Sequence, residues 1–223
     1  MEGVSSDEKN IGRRTFIGLV LAGIVALFVG KEIFPRISGG GGSSPGGASD
    51  FRINSVKAGP PFDEATWRLS VDGLVSSPFN LTFSQFTGLP QVKLTRDFHC
   101  VEGWGVPGVE WKGVAVKELM QRAGVDPQAT DLVFHSGDGV YSDSLTLEQS
   151  ALDDVLLVHE LNGAPLPPNM GQPVRLIYPG HYGYKYVKWV ERVEAINSKE
   201  TPFTGYWEGY GYSADATIPG ATR

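Results

Sequence analysis

Residues 169–189 read NMGQPVRLIYPGHYGYKYVKW. Residues 174–178 (VRLIY) are a short apolar run of the kind a buried strand shows. Pro179-Gly180 ends it. The turn that follows carries Gly183, Lys185 and Lys188. Glycine lets backbone N–H groups approach an anion, and lysines supply positive charge. A strand that runs into such a turn reads as a phosphate cradle. It is not a Walker loop, since G-x-x-x-x-G-K-[ST] is absent. An exposed turn with solvated lysines is the plain alternative.

The same punctuation recurs from residue 50 to residue 223. Strand-like runs cover 67–71 (WRLSV), 92–94, 131–134 (DLVF) and 155–159. Residues 187–196 (VKWVERVEAI) alternate apolar and polar in part. Helical candidates are few. Residues 84–87 and 147–152 suit short turns, and 116–123 (VKELMQRA) form an amphipathic segment that stops at Gly124. Many short strands, few short helices and no internal repeat predict an α+β domain with mixed sheets. Strands and helices do not alternate cleanly, which argues against a doubly wound parallel sheet.

A second dense segment, residues 96–113 (RDFHCVEGWGVPGVEWKG), reads as a functional loop. Its Cys100 is the chain's one cysteine, so no internal disulfide forms. A lone cysteine is commonly a small buried hydrophobe. Here it sits among His99, Glu102 and Trp104, and a thiolate is the ligand a soft metal prefers. One Cys beside one His falls short of a zinc set. A nucleophilic Cys100–His99 pair is disfavoured, because adjacent strand residues point to opposite faces. The net charge of −6 gives no basic face for nucleic acid.

Residues 15–30 (TFIGLVLAGIVALFVG) carry no charge and follow Arg13-Arg14. The run is shorter than the roughly 20 residues of a membrane span, but extension past Lys31 and Glu32 to Phe34 reaches that length. Arg13-Arg14-Thr15-Phe16-Ile17 resembles the twin-arginine export motif, a receptor-read address. Residues 1–34 are therefore expected to be a twin-arginine signal or anchor. Residues 35–49 are expected to be a Gly/Ser-rich linker, and residues 50–223 the folded domain. No clear A-x-A cleavage site follows the apolar run, so an uncleaved anchor is expected. Arginines before the span place the domain outside the cytoplasmic membrane.

Four segments in order resemble the molybdopterin-binding domain of the sulfite oxidase family: PPFDEATWRLSVDGLV (60–75), FHCVEGWGVPGVEWKGV (98–114), PVRLIYPGHYGYKYVKWV (173–190) and GYWEGYGY (205–212). The resemblance implies a mixed α+β fold and a molybdenum–molybdopterin cofactor. It makes Cys100 the thiolate ligand of molybdenum and places Arg175 on the pterin. Gly183, Tyr184 and Lys185 would wrap the pterin phosphate, with Lys188 as a second phosphate lysine. Ser136 and Asn54 match further cofactor contacts. Tyr212, five residues after Trp207, matches the active-site tyrosine. Glu102 and Trp104 match the exported bacterial branch, which includes a periplasmic enzyme that reduces methionine sulfoxide in proteins, and Glu102 joins the catalytic set. Met170 departs from the His or Asn that relatives commonly carry before the glycine of the G-x-P-V-R stretch, here Gly171. The arginine-bearing segment that helps sulfite oxidases bind their anion is replaced by Val101-Glu102-Gly103-Trp104.

The resemblance thus implies a monomeric catalytic domain that transfers an oxygen atom at Cys-ligated molybdenum and reduces an S-oxide or N-oxide. Sulfite oxidation is the alternative within the class, and a metal-free binding module or a Cys100 thiol enzyme lies outside it. The haem motif C-x-x-C-H is absent. Electrons are expected from an external membrane haem protein, quinone-linked subunit or cytochrome.

Overall fold

The computed structural model of the protein describes residues 47–220. The signal or anchor expected over 1–34 and most of the 35–49 linker lie outside those residues. Among the described residues no helix is long and apolar enough to cross a membrane.

Two five-stranded sheets make up the domain. One contains β1 (Arg68–Gly73), β2 (Phe79–Thr82), β5 (Asp131–Ser136), β6 (Ser142–Thr146) and β10 (Val190–Ile196), in the order β2-β1-β10-β5-β6. In it β1 and β10 run parallel while the other pairs are antiparallel. The other sheet contains β3 (Val92–His99), β4 (Gly105–Ala115), β7 (Leu156–Leu161), β8 (Ala164–Pro165) and β9 (Arg175–Ile177). Its order is β3-β4-β7-β8, with β9 also on β7, and it is antiparallel throughout. This is the mixed α+β arrangement that the strand spacing predicts.

Burial follows the local pattern. β1 alternates, with Leu69 and Val71 inside, as a half-buried strand should. β7 is flanked by β4 and β9 and is buried along almost its whole length. The helices are short and locally capped. Thr82 and Gln85 form a reciprocal capping box at α1 (Phe83–Thr87), and Thr146 and Gln149 do the same at α3 (Leu147–Ser150). Helix α2 (Val116–Ala123) buries Val116, Leu119 and Ala123 and ends at Gly124, whose φ of 62° makes the left-handed cap.

Two expectations are corrected. Residues 96–113 are not one loop: the chain turns over 100–104, between two paired strands. Their glycines mark close approach as well as turning. A Cβ on Gly113 would lie 2.0 Å from the Leu157 carbonyl oxygen, where the β4–β7 register shifts. The strand expected over 187–196 starts at Val190, because Trp189 takes a φ of 53° that no strand residue adopts. Strands β2, β4, β6 and β8 are absent from the expected set.

Leu157 is fully buried in β7, with β4 on one side and β9 on the other. The substitution Leu157→Ala should cost about 2–5 kcal/mol. Urea unfolding should show a lower midpoint with an unchanged slope. A loss below about 1 kcal/mol would mean that the two-sided packing at β7 is not tight.

Candidate active site

Cys100 sits at the start of the turn between β3 and β4. Its N–H donates to the Trp104 carbonyl at 2.8 Å, and the Gly103 N–H donates to the Cys100 carbonyl at 3.1 Å. Its half-buried Sγ lies 3.9 Å from Oε2 of Glu102. The same oxygen accepts from Asn54 Nδ2 at 3.0 Å and from Trp104 Nε1 at 3.2 Å. A carboxylate is thus fixed beside the sulfur by donors from two segments. Burial pushes the Cys100 thiol up. The Glu102 carboxylate adds to the rise, and its backbone N–H pulls the other way.

A cavity of about 160 Å³ opens onto this sulfur. Its inner wall is cationic. Arg175 begins β9 and is 4% exposed. Its Nη1 donates to the Met170 carbonyl at 3.1 Å and Nη2 to the Tyr186 carbonyl at 3.4 Å. The guanidinium lies 5.6 Å from the Trp111 ring, 5.9 Å from Tyr186 and 6.0 Å from Phe98. Its Nε is buried without a hydrogen-bond partner. Among the described residues it forms no ion pair with a carboxylate. Burial pulls the group down to about 10, still protonated at neutral pH. Such a cation is a natural anion receptor.

Lys188 lies on the same cavity. Its Nζ donates to the Asn54 carbonyl at 2.6 Å, to Ser55 Oγ, and to the Asn169 carbonyl at 3.4 Å. All three acceptors are neutral. Burial, with repulsion from Arg175, pulls Lys188 down to about 7. Ser136 is buried at the end of β5 and accepts from the Asp138 N–H at 3.2 Å, which leaves its own O–H to donate.

Residues 51–56 pass along the cavity as a strap. Residues 52–62 make no backbone–backbone hydrogen bond among the described residues. Side chains hold the strap instead. Phe51 packs on Phe98 and Trp111, Arg52 lies 5.9 Å from the Trp104 ring, and Lys57 Nζ reaches the Asp138 carbonyl at 2.7 Å.

Gly183 and Tyr184 of the turn Gly183–Lys185 line the cavity as well. A Cβ on Gly183 would meet the Phe98 ring at 2.3 Å, so the turn passes directly over the strand that leads to Cys100. Tyr184 faces the cavity, and its hydroxyl donates to the Ser213 carbonyl at 2.6 Å. Tyr212 and Trp207 complete the mouth. The Tyr212 ring centre lies 5.3 Å from those of Trp207 and Tyr184.

Of the expected site residues, Cys100, Glu102, Asn54, Ser136, Arg175, Gly183, Tyr184, Lys188 and Tyr212 all line this cavity. Lys185 does not. Its side chain is 2% exposed, and its Nζ lies 2.6 Å from both Asp143 Oδ1 and Glu208 Oε1. Two carboxylates already match its charge. His99 lies outside the lining too, and the thiol's polar neighbour is Glu102, so no Cys–His nucleophile pair is assembled. Met170 buries its side chain and offers its carbonyl to Arg175, so the departure there keeps a role in orienting that cation. Sequence reasoning misses Arg52, Asp138 and Tyr141. They lie in connections without periodicity, and no local signal marks them. Among the described residues no three His, Cys, Asp or Glu side chains group as a metal site. A metal at Cys100 would need ligands from a cofactor.

A family model described as the oxidoreductase molybdopterin binding domain matches residues 57–207. The uncharacterized oxidoreductase YuiH of Bacillus subtilis is 32% identical over 154 residues, 69% of this chain and 76% of that protein. The putative protein-methionine-sulfoxide reductase subunit YedZ1 of Azospira oryzae is 33% identical over 151 residues, 68% of this chain and 56% of that protein. Among solved structures, the sulfane dehydrogenase SoxCD of Paracoccus pantotrophus superposes with a TM-score of 0.59 at 28% identity. That match covers 62% of this chain and 40% of the other.

Lys188 gives the site a pH signature. Its pKa is about 7 folded and near 10.5 unfolded. The unfolded chain therefore binds more protons between those values, and stability rises with pH across that window. Below pH 7 the full penalty of the buried ammonium is present. The stability difference between cofactor-free wild type and Lys188→Met should therefore shift toward the wild type from pH 7 to 10 in urea unfolding. A difference flat with pH would show that Lys188 titrates normally.

Proposed function

The chain belongs to the oxidoreductase molybdopterin binding domain family, and on that footing we propose that it reduces a neutral S-oxide or N-oxide outside the cytoplasmic membrane. It is an oxidoreductase, and its cofactor is molybdenum–molybdopterin. The residues fit that group. The buried Arg175 guanidinium has an orphaned Nε and, among the described residues, no carboxylate partner, as the receptor of an anionic cofactor should. Cys100 would hold the metal, Arg175 the pterin, and Lys188 and Ser136 the phosphate end. Asn54 would close over the group from the strap, and the backbone of Gly183 and Tyr184 would flank it.

When bound, the cofactor supplies a two-electron redox change and exchange of an oxygen atom. The net reaction takes an S-oxide, two protons and two electrons to a sulfide and water. Glu102 stands beside the sulfur where substrate approaches. The observation that carries the proposal is this carboxylate, 3.9 Å from Cys100 Sγ and fixed by Asn54 and Trp104. A fixed negative charge there repels sulfite and tolerates a neutral S-oxide. Trp207, Tyr184 and Tyr212 offer the aromatic faces that a thioether group favours. The Tyr212 hydroxyl has no hydrogen-bond partner among the described residues and would donate its proton to the substrate oxygen.

In the same reading residues 1–34 are a twin-arginine signal that stays as an anchor, 35–49 a tether and 50–223 the catalytic domain. Export in the folded state suits a cofactor loaded beforehand. Electrons arrive singly from a membrane haem protein, quinone-linked subunit or cytochrome.

Two measurements test this. Protein from a host with an intact cofactor pathway should contain near-stoichiometric molybdenum. Cys100→Ser should change the metal's spectrum and lower turnover by more than about a hundredfold, beyond the usual loss for an outer-shell contact. A folded wild type without metal or pterin would favour a binding module instead. In the second, methionine sulfoxide should be reduced under a low-potential dye, with little sulfite oxidised under an electron-accepting dye. Robust sulfite turnover would sink the proposed direction.

A further inference from the structure

The buried ion cluster Asp143–Lys185–Glu208 lies behind the cavity, yet each member adjoins a cavity wall. Asp143 follows Tyr141 by two residues on β6, Lys185 follows Tyr184, and Glu208 follows Trp207. The Lys185 and Asp143 side chains are 2% and 1% exposed, and Glu208 is 10% exposed. Both oxygens of Glu208 are used, Oε1 by Lys185 at 2.6 Å and Oε2 by the Gly205 N–H at 2.8 Å. Asp143 Oδ1 accepts from Lys185 at 2.6 Å and from the Ser144 N–H at 2.7 Å.

The segment 205–212 has little else to hold it. Its backbone bonds Gly209 to Gly205, Tyr210 to Trp207, Gly211 to Glu208 and Tyr212 to Trp207 all close within the segment. The Tyr206 N–H to the Ser142 carbonyl, at 3.0 Å, is its backbone–backbone tie to a sheet among the described residues. Without the lysine, the segment that carries Trp207 and Tyr212 would rest on that bond, on ring contacts and on the Tyr184 hydroxyl bond to the Ser213 carbonyl just beyond it. A Cβ on Gly205 would lie 2.7 Å from Asp143 Oδ1 and 2.9 Å from Glu208 Oε2, so the backbone packs directly on the two carboxylates.

We propose that Lys185 is a positioning residue. With Asp143 and Glu208 it pins 205–212 so that Trp207 and Tyr212 stand against Tyr184 as the substrate-facing wall. This differs from the phosphate role that resemblance implies for Lys185. It rests on the S-oxide reading for its kinetic consequence alone. A wall held by a buried ion pair is preorganised, so substrate need not order it on binding.

The test uses the cofactor-loaded protein and the near-isosteric variant Glu208→Gln. That variant retains the acceptor for Gly205 and loses the charge for Lys185. Amide hydrogen exchange over 205–212 should quicken by about tenfold or more, with exchange over 131–146 at wild-type rates as proof of an intact sheet. Molybdenum content should stay at the wild-type level. KM for methionine sulfoxide should rise by about tenfold and kcat should fall with it, because the loosened segment carries both the Trp207 face and the Tyr212 proton donor. Lys185→Arg, which keeps the charge, should restrain 205–212 better than Lys185→Met. Wild-type exchange over 205–212 in Glu208→Gln would overturn the proposal. So would Lys185 variants that lose molybdenum while exchange there is unchanged. If no S-oxide is turned over by any form, the exchange measurements still decide the matter, because they need no substrate.

Discussion

The site is built around a guanidinium that is buried, among the described residues, without a carboxylate partner. Removing a charge from water is expensive unless something replaces the water. For Arg175 the replacements are two backbone carbonyls and the ring faces of Trp111, Tyr186 and Phe98. Each ring comes from a different element: Trp111 from β4, Phe98 from β3, Tyr186 from the turn after β9. None of these partners carries a full negative charge, so the field of the cation reaches into the cavity. Lys188 adds to it and is itself pulled down by burial and by Arg175. The cavity thus carries two cations, Arg175 and Lys188, together with a carboxylate, Glu102, beside the sulfur.

The short turn Gly183–Lys185 shows how little chain such a division needs. A 3-10 turn has three residues per turn, so successive side chains point about 120° apart. Gly183 lies against Phe98, Tyr184 faces the cavity, and Lys185 enters the ion cluster with Asp143 and Glu208. Burial pushes Asp143 up to about 7, against the opposing pull of Lys185. Three neighbouring residues therefore serve packing, lining and anchoring. Chain proximity and the sign of the charge do not reveal that Lys185 points away from the cavity.

The helix α2 was legible because its amphipathic run and terminal glycine are local signals that survive any packing. The starts of α1 and α3 share one device, a threonine with a glutamine three residues on, which is readable as a capping box. The β-rich, mixed architecture was legible from short apolar runs between glycines and prolines. Strand β4 was not, although it is the longest in the description. Gly105, Pro107, Gly108 and Gly113 look like turn residues. They belong to a bulged strand where neighbouring backbones come close. A strand is defined by its partners, and those lie far along the chain.

The amino-acid sequence by itself determined the family, the α+β class and nine of the residues that meet at the cavity. Those depend on residue type and on short spacing: one cysteine in its segment, one arginine after Pro-Val, one glycine-lysine turn. Tertiary structure alone decided which charges face the cavity and which are matched inside. It brought Arg52 and Asn54 from the strap to the Cys100 turn, and it paired Lys185 with carboxylates 42 residues before it and 23 after it. The physical reason is that the cost of a buried charge is set by what surrounds it in space. Those surroundings are assembled from segments whose order along the chain carries no record of their contact.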